Sequence, residues 1–236
     1  MSLNFLEFTE INDVSINFET DCNVKIIEVK VRDVAPIIQE IINDLLDTSW
    51  VTSLDVLNQR SLLARAKPTI EEIVTNIFSR SDDKLTSDSG EYFVSCSSQY
   101  VLECYCNHSR VILSELFGKK ITGNPSFDFH TETNTSLIAF GEAKYSSSGS
   151  PYGVALSQIN KFLSDEKDLQ DMADIRHFVS DDANDNFIDD KKAFIASFSL
   201  NAKSHEIVFN NLIKDDNFKK LLRYNELYII GVSIDV

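Results

Sequence analysis

The chain has 236 residues, of which 43% are hydrophobic and 25% charged, a composition typical of one large globular domain or of a core with a small addition. Its formal net charge of −15 argues against tight, unaided binding to a polyanion such as DNA. No apolar stretch of about 18 residues occurs, and no basic segment precedes an apolar core near the N-terminus. We therefore expect neither a transmembrane helix nor a signal peptide.

The first 80 residues predict strands followed by helices, and we treat them as an N-terminal α+β extension. Partial alternation of apolar residues predicts strands at Phe5–Phe8, Val14–Phe18 and Val24–Val31. Helical spacing predicts helices at Val34–Leu46, Ser53–Ala66 and Pro68–Ser79. Asp33 is placed to cap the first of these helices. A polar stretch rich in Ser and Asp, Ser79–Ser89, follows and divides the chain into residues 1–80 and 81–236.

The remainder alternates between helices and strands. Strand patterns occur at Lys120–Thr122, Ser126–His130, Ser136–Glu142, Ala193–Ser199 and Glu226–Ile234. Helical patterns occur from Glu91 to about Leu116, at Tyr152–Leu163 and at His205–Leu222. This order predicts an α/β fold with a central mixed sheet flanked by helices.

The cysteines point to a reducing environment. Cys96, Cys104 and Cys106 fall within one predicted helix, and Cys22 is distant in sequence. A zinc site requires two Cys or His pairs at ligand spacing, and although His108 is near, no second pair exists. We therefore interpret these residues as reduced thiols, which predicts a cytoplasmic location.

Three charged residues form the most informative pattern. Asp128 lies in one predicted strand, and Glu142 and Lys144 lie at the end of the next. Residues two apart on a strand project from the same face, so Glu142 and Lys144 point together. If the two strands pair as a hairpin, Asp128 lies across from the same end. Two carboxylates and one ammonium are then expected to converge.

Such a set suits phosphodiester hydrolysis. Carboxylates and a backbone carbonyl can hold Mg²⁺ with waters in the remaining positions. The metal activates a water and neutralises the charge that develops on phosphorus. The lysine can orient or deprotonate the attacking water, or stabilise the pentavalent phosphate.

These residues resemble the active-site motif of the PD-(D/E)XK restriction-endonuclease-like nucleases. Thirteen residues separate Asp128 from the Glu142-Ala143-Lys144 run, and the order of elements is that of the restriction-endonuclease core. The proline expected before the aspartate is absent, and Pro125 lies three residues earlier. The resemblance implies a Mg²⁺-dependent endonuclease that acts on DNA and accepts Mn²⁺ as a substitute.

Three further residues are candidates for the site. The resemblance implies that Glu91, in the helix before the hairpin, is a further metal ligand beside Asp128 and Glu142. The alternative is a helix N-terminal glutamate that interacts with the helix dipole. Gln158 could contact substrate or a metal-bound water, and His130 could assist Asp128. The alternatives are a polar residue on a helix surface and a histidine packed in a strand.

A closer resemblance is to the HamA family, the nuclease subunits of the Hachiman anti-phage defence system. Gly90-Glu91, Asp128-Phe129-His130 and Gly141-Glu142-Ala143-Lys144 occur in the order found in that family, and the similarity covers about Ser89–Leu163. It implies an antiviral defence effector with a helicase or ATPase partner. A subunit that receives DNA from such a partner need not be basic itself.

Other interpretations remain open. Asp128, Glu142 and Lys144 could form a surface ion-pair network. The acidic segment Ser164–Asp190 could bind calcium, but it lacks the EF-hand spacing and glycine, and a solvated mobile loop is the simpler interpretation. The chain could also be a nuclease-fold binding or regulatory subunit without catalysis. A stand-alone type II-like restriction enzyme acting as a homodimer is a third possibility.

Overall fold

The computed structural model describes residues 9–16, 19–78, 87–111 and 126–234, and within them a mixed sheet carries helices on both faces. The strands are β1 (Thr9–Asp13), β2 (Asn23–Val31), β3 (Ser109–Arg110), β4 (Phe129–Glu132), β5 (Ile138–Lys144), β6 (Ala193–Ser199) and β7 (Glu226–Ile234). The α-helices are α1 (Val34–Leu46), α2 (Val56–Glu72), α3 (Ser87–Cys106), α4 (Tyr152–Ser164), α5 (Lys167–Ile175), α6 (Asp181–Ile188), α7 (His205–Leu212) and α8 (Asp216–Leu221). A 3-10 helix (Ser49–Ser53) precedes α2, and a π-helix (Ile73–Phe78) extends it.

The described strands run in the order β1-β2-β7-β6-β5-β4-β3. Neighbours among β2, β7, β6 and β5 are parallel, and antiparallel pairs extend the sheet at both edges. Parallel strands covered on both faces are apolar along their whole length, and every residue of β6 is buried. The parallel strands end at one edge of the sheet, and Lys144 is the last residue of β5 there.

Alternate residues of the central strands belong to two hydrophobic cores. Ala143 of β5 and Ile195 of β6 pack with residues of α1, α2 and α3 on one face. Phe140 and Phe194 pack with residues of α4 to α8 on the other face. Burying a Phe or Ile side chain completely contributes roughly 1.5–3 kcal/mol. The two cores therefore stabilise the strands from both sides and fix the end of β5.

Much of the predicted architecture is confirmed. The fold is α/β, with a mixed sheet flanked by helices. The strands predicted at Ala193–Ser199 and Glu226–Ile234 have those bounds. Helix α1 spans the predicted residues, and the Asp33 side chain accepts a hydrogen bond from the Ala35 N–H at 3.1 Å.

Three helix predictions were wrong in their bounds. Helix α2 runs through Pro68, so the two predicted helices on either side of it are one. The predicted helix at His205–Leu222 is two helices, because Asp215 accepts a hydrogen bond from the Asn217 N–H at 2.7 Å and caps α8. Helix α3 begins at Ser87 and ends at Cys106, where Asn107 takes a left-handed backbone conformation with a φ of 57°.

Two predictions on strands also need correction. A strand was predicted at Val14–Phe18, but β1 ends at Asp13 and pairs antiparallel with β2. The predicted strand at Ser126–His130 begins later, at Phe129. The predicted strands at Phe5–Phe8 and Lys120–Thr122, and the end of the predicted helix near Leu116, lie outside the described residues.

The acidic segment after α4 is helical, which corrects the expectation of a mobile loop. Its acidic side chains include three that tie α5 to other elements. Asp168 pairs with Lys192 at 2.8 Å. Asp174 forms a two-pronged ion pair with Arg65 of α2, at 2.8 and 3.0 Å. Asp171, between them in sequence, contacts His130 of β4 at 3.2 Å.

The N-terminal strands belong to the same sheet as the rest of the chain. Strand β2 pairs with β7 over nine residue positions, Asn23 to Val31. The predicted boundary between residues 80 and 81 falls outside the described residues, and the division into two parts stays a prediction. Among the helices that the structure describes, none combines the length and apolar character that crossing a membrane requires.

Candidate active site at the end of strand β5

A hairpin of β4 and β5 brings Asp128 next to the end of β5. Phe129 pairs with Gly141 in the antiparallel register. The Asp128 N–H donates to the Gly141 carbonyl at 2.9 Å. In the other direction, Asp128 Oδ2 accepts from the Ala143 N–H at 2.9 Å. These two bonds fix the Asp128 carboxylate beside Glu142 and Lys144, as the sequence predicts.

Glu142 and Lys144 project from the same face of β5 and contact each other. The distance from Lys144 Nζ to Glu142 Oε1 is 2.5 Å. Ala143, between them, is buried in the core on the opposite face. Side-chain exposure is 0% for Glu142 and 13% for Lys144. A surface ion-pair network is therefore contradicted, because this pair lies in the protein interior.

Glu91 of α3 completes the cluster. Its Oε1 lies 3.7 Å from Lys144 Nζ, and its side chain is 32% exposed. The helix dipole acts most strongly within the first turn of a helix. Helix α3 begins at Ser87, so Glu91 lies after that turn. This placement favours the interpretation of Glu91 as a member of the site over that of a dipole partner.

The Lys144 ammonium lies among oxygen atoms of four residues. Besides Glu142 and Glu91, it donates a hydrogen bond to the Ala143 carbonyl at 3.0 Å and lies 3.8 Å from Asp128 Oδ2. Burial lowers the pKa of Lys144, but the negative charges of Asp128, Glu142 and Glu91 outweigh that effect and raise the pKa above its ordinary value. The side chain is therefore a positively charged group at neutral pH.

For Glu142, burial raises the pKa instead of lowering it. Burial, and then the negative charge of Asp128, raise the pKa of Glu142 well above its ordinary value, although Lys144 opposes the effect. Its second oxygen, Oε2, is buried and accepts no hydrogen bond from the described residues. A buried carboxylate oxygen without a donor is costly, and a cation is one partner that would satisfy it.

The donor set fits Mg²⁺. Carboxylates of Asp128, Glu142 and Glu91 and the carbonyl of Ala143 are hard oxygen ligands, which Mg²⁺ and Mn²⁺ prefer. As the side chains lie, no three His, Cys, Asp or Glu residues of the described ranges are close enough together to hold a metal ion. In this cluster the Lys144 ammonium occupies the space between the carboxylates.

The other predicted candidates lie outside the cluster. His130 is a packed strand histidine: its Nε2 lies 3.2 Å from Asp171 Oδ2, and its ring contacts Phe127 and Phe140 edge-on. The Ser126 hydroxyl donates to the same Asp171 carboxylate. Gln158 is half-buried on α4 and forms no ion pair or hydrogen bond with a described residue of the cluster. The structure thus groups Asp128, Glu142, Lys144 and Glu91.

Two glycine contacts were missed from the sequence. A Cβ atom built on Gly141 would lie 2.5 Å from the Phe129 ring, and one on Gly90 would overlap the Tyr145 ring. Each of these glycines precedes a glutamate of the site, and each aromatic residue follows Asp128 or Lys144. Two of the chain's 7 glycines thus form the Gly-Glu pairs noted in the sequence, where nothing indicated the aromatic rings that cover them.

The cluster lies where the parallel strands end, and its exposure increases from Glu142 at the buried end to Glu91 at the solvent side. Two carboxylates and an ammonium are held together by hairpin pairing, and a third carboxylate approaches from α3. Compared with protein-family models, with curated proteins and with solved structures, the chain matches none of them.

Proposed function

We propose that the chain is a Mg²⁺-dependent endonuclease with a PD-(D/E)XK restriction-endonuclease-like core, which hydrolyses phosphodiester bonds of DNA. One observation carries the proposal: two carboxylates, of Asp128 and Glu142, converge with the Lys144 ammonium at the end of a buried hairpin. Taking charges out of water costs more than such a pair usually returns in stability. A chemical role explains why the charges are there.

Asp128, Glu142, Glu91 and the Ala143 carbonyl are the groups that would hold the metal ion. When bound, Mg²⁺, or Mn²⁺ as its substitute, supplies an activated water and positive charge against the phosphate. Two features support this assignment: the buried Glu142 Oε2 has no hydrogen-bond donor among the described residues, and the donor set consists of hard oxygen atoms.

Lys144 supplies the second positive charge of the site. Its ammonium is held on the face of β5 that also carries Glu142, and its 13% exposure leaves it accessible from the Glu91 side. From the Glu91 side of the cluster it can donate hydrogen bonds to the non-bridging oxygens of a phosphodiester. A positive charge there can stabilise the pentavalent phosphate.

We further propose a defence effector that works in the cytoplasm with a helicase or ATPase partner. The net charge of −15 supports delivery of DNA by a partner, because an acidic surface weakens unaided binding to a polyanion. All four cysteines are thiols and none forms a disulfide, which suits a reducing compartment. The same activity would also suit a stand-alone type II-like restriction enzyme, which cuts both strands as a homodimer.

The second candidate function is a binding or regulatory subunit that has the nuclease fold but no activity. Two observations favour it: the acidic net charge and the ion pair that fills the cluster. Cleavage and metal-binding measurements separate the two functions.

Cleavage assays test the proposed function. Supercoiled plasmid and labelled single-stranded oligonucleotides would be incubated with the protein in Mg²⁺, Mn²⁺ or EDTA, alone and with the product of any neighbouring helicase gene. We expect metal-dependent cutting that falls on the order of 10²–10³-fold in Lys144→Ala, the usual cost of removing a group that stabilises charge in the transition state. Lys191→Ala, in which an exposed lysine is lost, is the matched control and should cut normally.

A lack of cutting under every condition, together with a lack of metal binding, would contradict the proposal and support the binding subunit. Equal cutting by wild type and Lys144→Ala would place the activity elsewhere in the chain.

A further inference from the structure

The position of the Lys144 ammonium has a consequence for metal binding. It lies 2.5 Å from Glu142 Oε1, 3.0 Å from the Ala143 carbonyl, 3.7 Å from Glu91 Oε1 and 3.8 Å from Asp128 Oδ2. These are the same four groups that would hold the metal ion. The ammonium therefore lies at the point on which the ligand set converges.

A divalent cation and the ammonium cannot share that point. Both are positive, and two positive charges held this close in a partly buried site repel each other strongly. The Ala143 carbonyl and Glu142 Oε1 also already accept hydrogen bonds from the Lys144 ammonium. Binding of the metal therefore requires Lys144 Nζ to leave.

The surroundings show which group is able to move. Asp128 is tied to the backbone by the Ala143 N–H, and Glu142 is fully buried. Lys144 has a flexible four-carbon stem, and Glu91, the most exposed member of the cluster, lies on its solvent side. A short rotation of the stem towards Glu91 and solvent would vacate the site without disturbing the hairpin.

We propose that Lys144 competes with the catalytic metal ion for the same position. In the metal-free protein the Lys144 ammonium occupies the metal site, and the metal binds by displacing it. This inference depends on the proposed metal site and adds a regulatory step to it. The protein is then inactive until the metal concentration is high enough to move Lys144. The displaced ammonium ends at the solvent side, where a phosphate would arrive.

Removing Lys144 should change metal affinity in the opposite direction from removing a metal ligand. Loss of a ligand weakens metal binding, whereas loss of Lys144 should strengthen it while cleavage is lost. If no more than about a tenth of the wild-type protein has the lysine displaced, removing the competitor should tighten the apparent Kd at least about tenfold.

Binding of Mn²⁺ without nucleic acid tests this inference. Free Mn²⁺ would be measured by electron paramagnetic resonance in titrations of wild type, Lys144→Met and Lys144→Gln at one pH and ionic strength. Lys191→Met removes the same charge from an exposed position and controls for the change in net charge. We expect both Lys144 variants to bind Mn²⁺ at least about tenfold more tightly than wild type, and Lys191→Met to match wild type.

A second measurement uses the wild-type protein, so it does not depend on how a variant folds. An amine-reactive reagent with mass-spectrometric readout should label Lys144 faster when Mn²⁺ is present, because the ammonium has moved to solvent. Equal or weaker binding by the Lys144 variants, or labelling that Mn²⁺ does not accelerate, would overturn the inference and leave the proposed nuclease intact. If neither wild type nor variants bind Mn²⁺, the proposed metal-dependent function fails as well.

Discussion

At the scale of single residues, the site depends on two glycines that lie beneath aromatic rings. The ring of Phe129 covers Gly141, and the ring of Tyr145 covers Gly90. These contacts join the segments that carry Asp128, Glu142, Lys144 and Glu91. A side chain at either glycine would separate those segments, so the glycines are needed for close approach and not for an unusual backbone conformation.

Gly141→Ala should therefore damage the site. Phe129 is completely buried and has no room to turn away from an added methyl group. We expect a loss of about 1–3 kcal/mol in the free energy of unfolding, typical of overpacking a core, together with weaker Mn²⁺ binding. Urea denaturation and metal titration would measure both. Gly149→Ala is the control: its nearest neighbour, Ser146 Oγ, is 3.6 Å away, and both quantities should stay at wild-type values.

His108 predicts a pH dependence that is separate from the site. The ring is 4% exposed, its Nδ1 contacts Thr131 Oγ1 at 2.9 Å, and its Nε2 is buried without a partner among the described residues. Burial, and then the positive charge of Lys25, lower the pKa of His108 from 6.5 to about 4. The unfolded chain thus binds the proton more readily than the folded chain between these values.

Stability from this histidine is therefore fully present above pH 6.5 and is lost as the pH falls towards 4. We expect wild type to lose roughly 3 kcal/mol of unfolding free energy through His108 between pH 7 and pH 4. His108→Gln should lack this part of the loss, which urea denaturation at the two pH values would show. An unchanged difference between pH 7 and pH 4 in the variant would contradict the assignment.

At the scale of elements, the acidic helix α5 is held in place by its own carboxylates. Asp168 pairs with Lys192, and both side chains are less than 10% exposed. Asp174 pairs with Arg65, a residue 109 positions away in sequence. Acidic side chains of this region thus contribute to packing between elements.

Asp168→Asn should consequently be far more destabilising than its location in an acidic segment suggests. It leaves the Lys192 ammonium buried, and its remaining charged partner among the described residues is Asp190, which is 83% exposed. We expect a loss of about 2–4 kcal/mol in the free energy of unfolding. Asp189→Asn removes an exposed partner of Lys191 and should change stability by no more than about 0.5 kcal/mol. Similar effects from the two substitutions would refute this account of α5.

The parts of the fold that were predicted correctly are those encoded locally. Asp128, Glu142 and Lys144 were placed together because strand periodicity is two and the hairpin turn is short. The break in the predicted helix at His205–Leu222 was missed because the cap at Asp215 interrupts an otherwise continuous apolar pattern. The contact between Gly90 and Tyr145 could not be predicted, since it joins a helix and a strand end that are distant in sequence.

At the scale of the whole molecule, the net charge of −15 opposes electrostatic attraction to a polyanion such as DNA. We expect the isolated protein to bind duplex DNA no more tightly than a Kd of about 10⁻⁶ M at physiological salt. Fluorescence anisotropy with a labelled duplex would measure this affinity. Tight binding by the protein alone would remove the reason for a partner that delivers the DNA.

The central claim is that the cluster at the end of β5 hydrolyses phosphodiester bonds with a metal ion. Cleavage of DNA by wild type and by Glu142→Gln, in Mn²⁺ and in EDTA, tests it most directly, because glutamine keeps the shape of the buried side chain and removes its charge. We predict that the wild type cuts DNA in Mn²⁺ but not in EDTA, and that Glu142→Gln cuts DNA in neither. Cutting by Glu142→Gln at the wild-type rate, or cutting in EDTA, would contradict the claim.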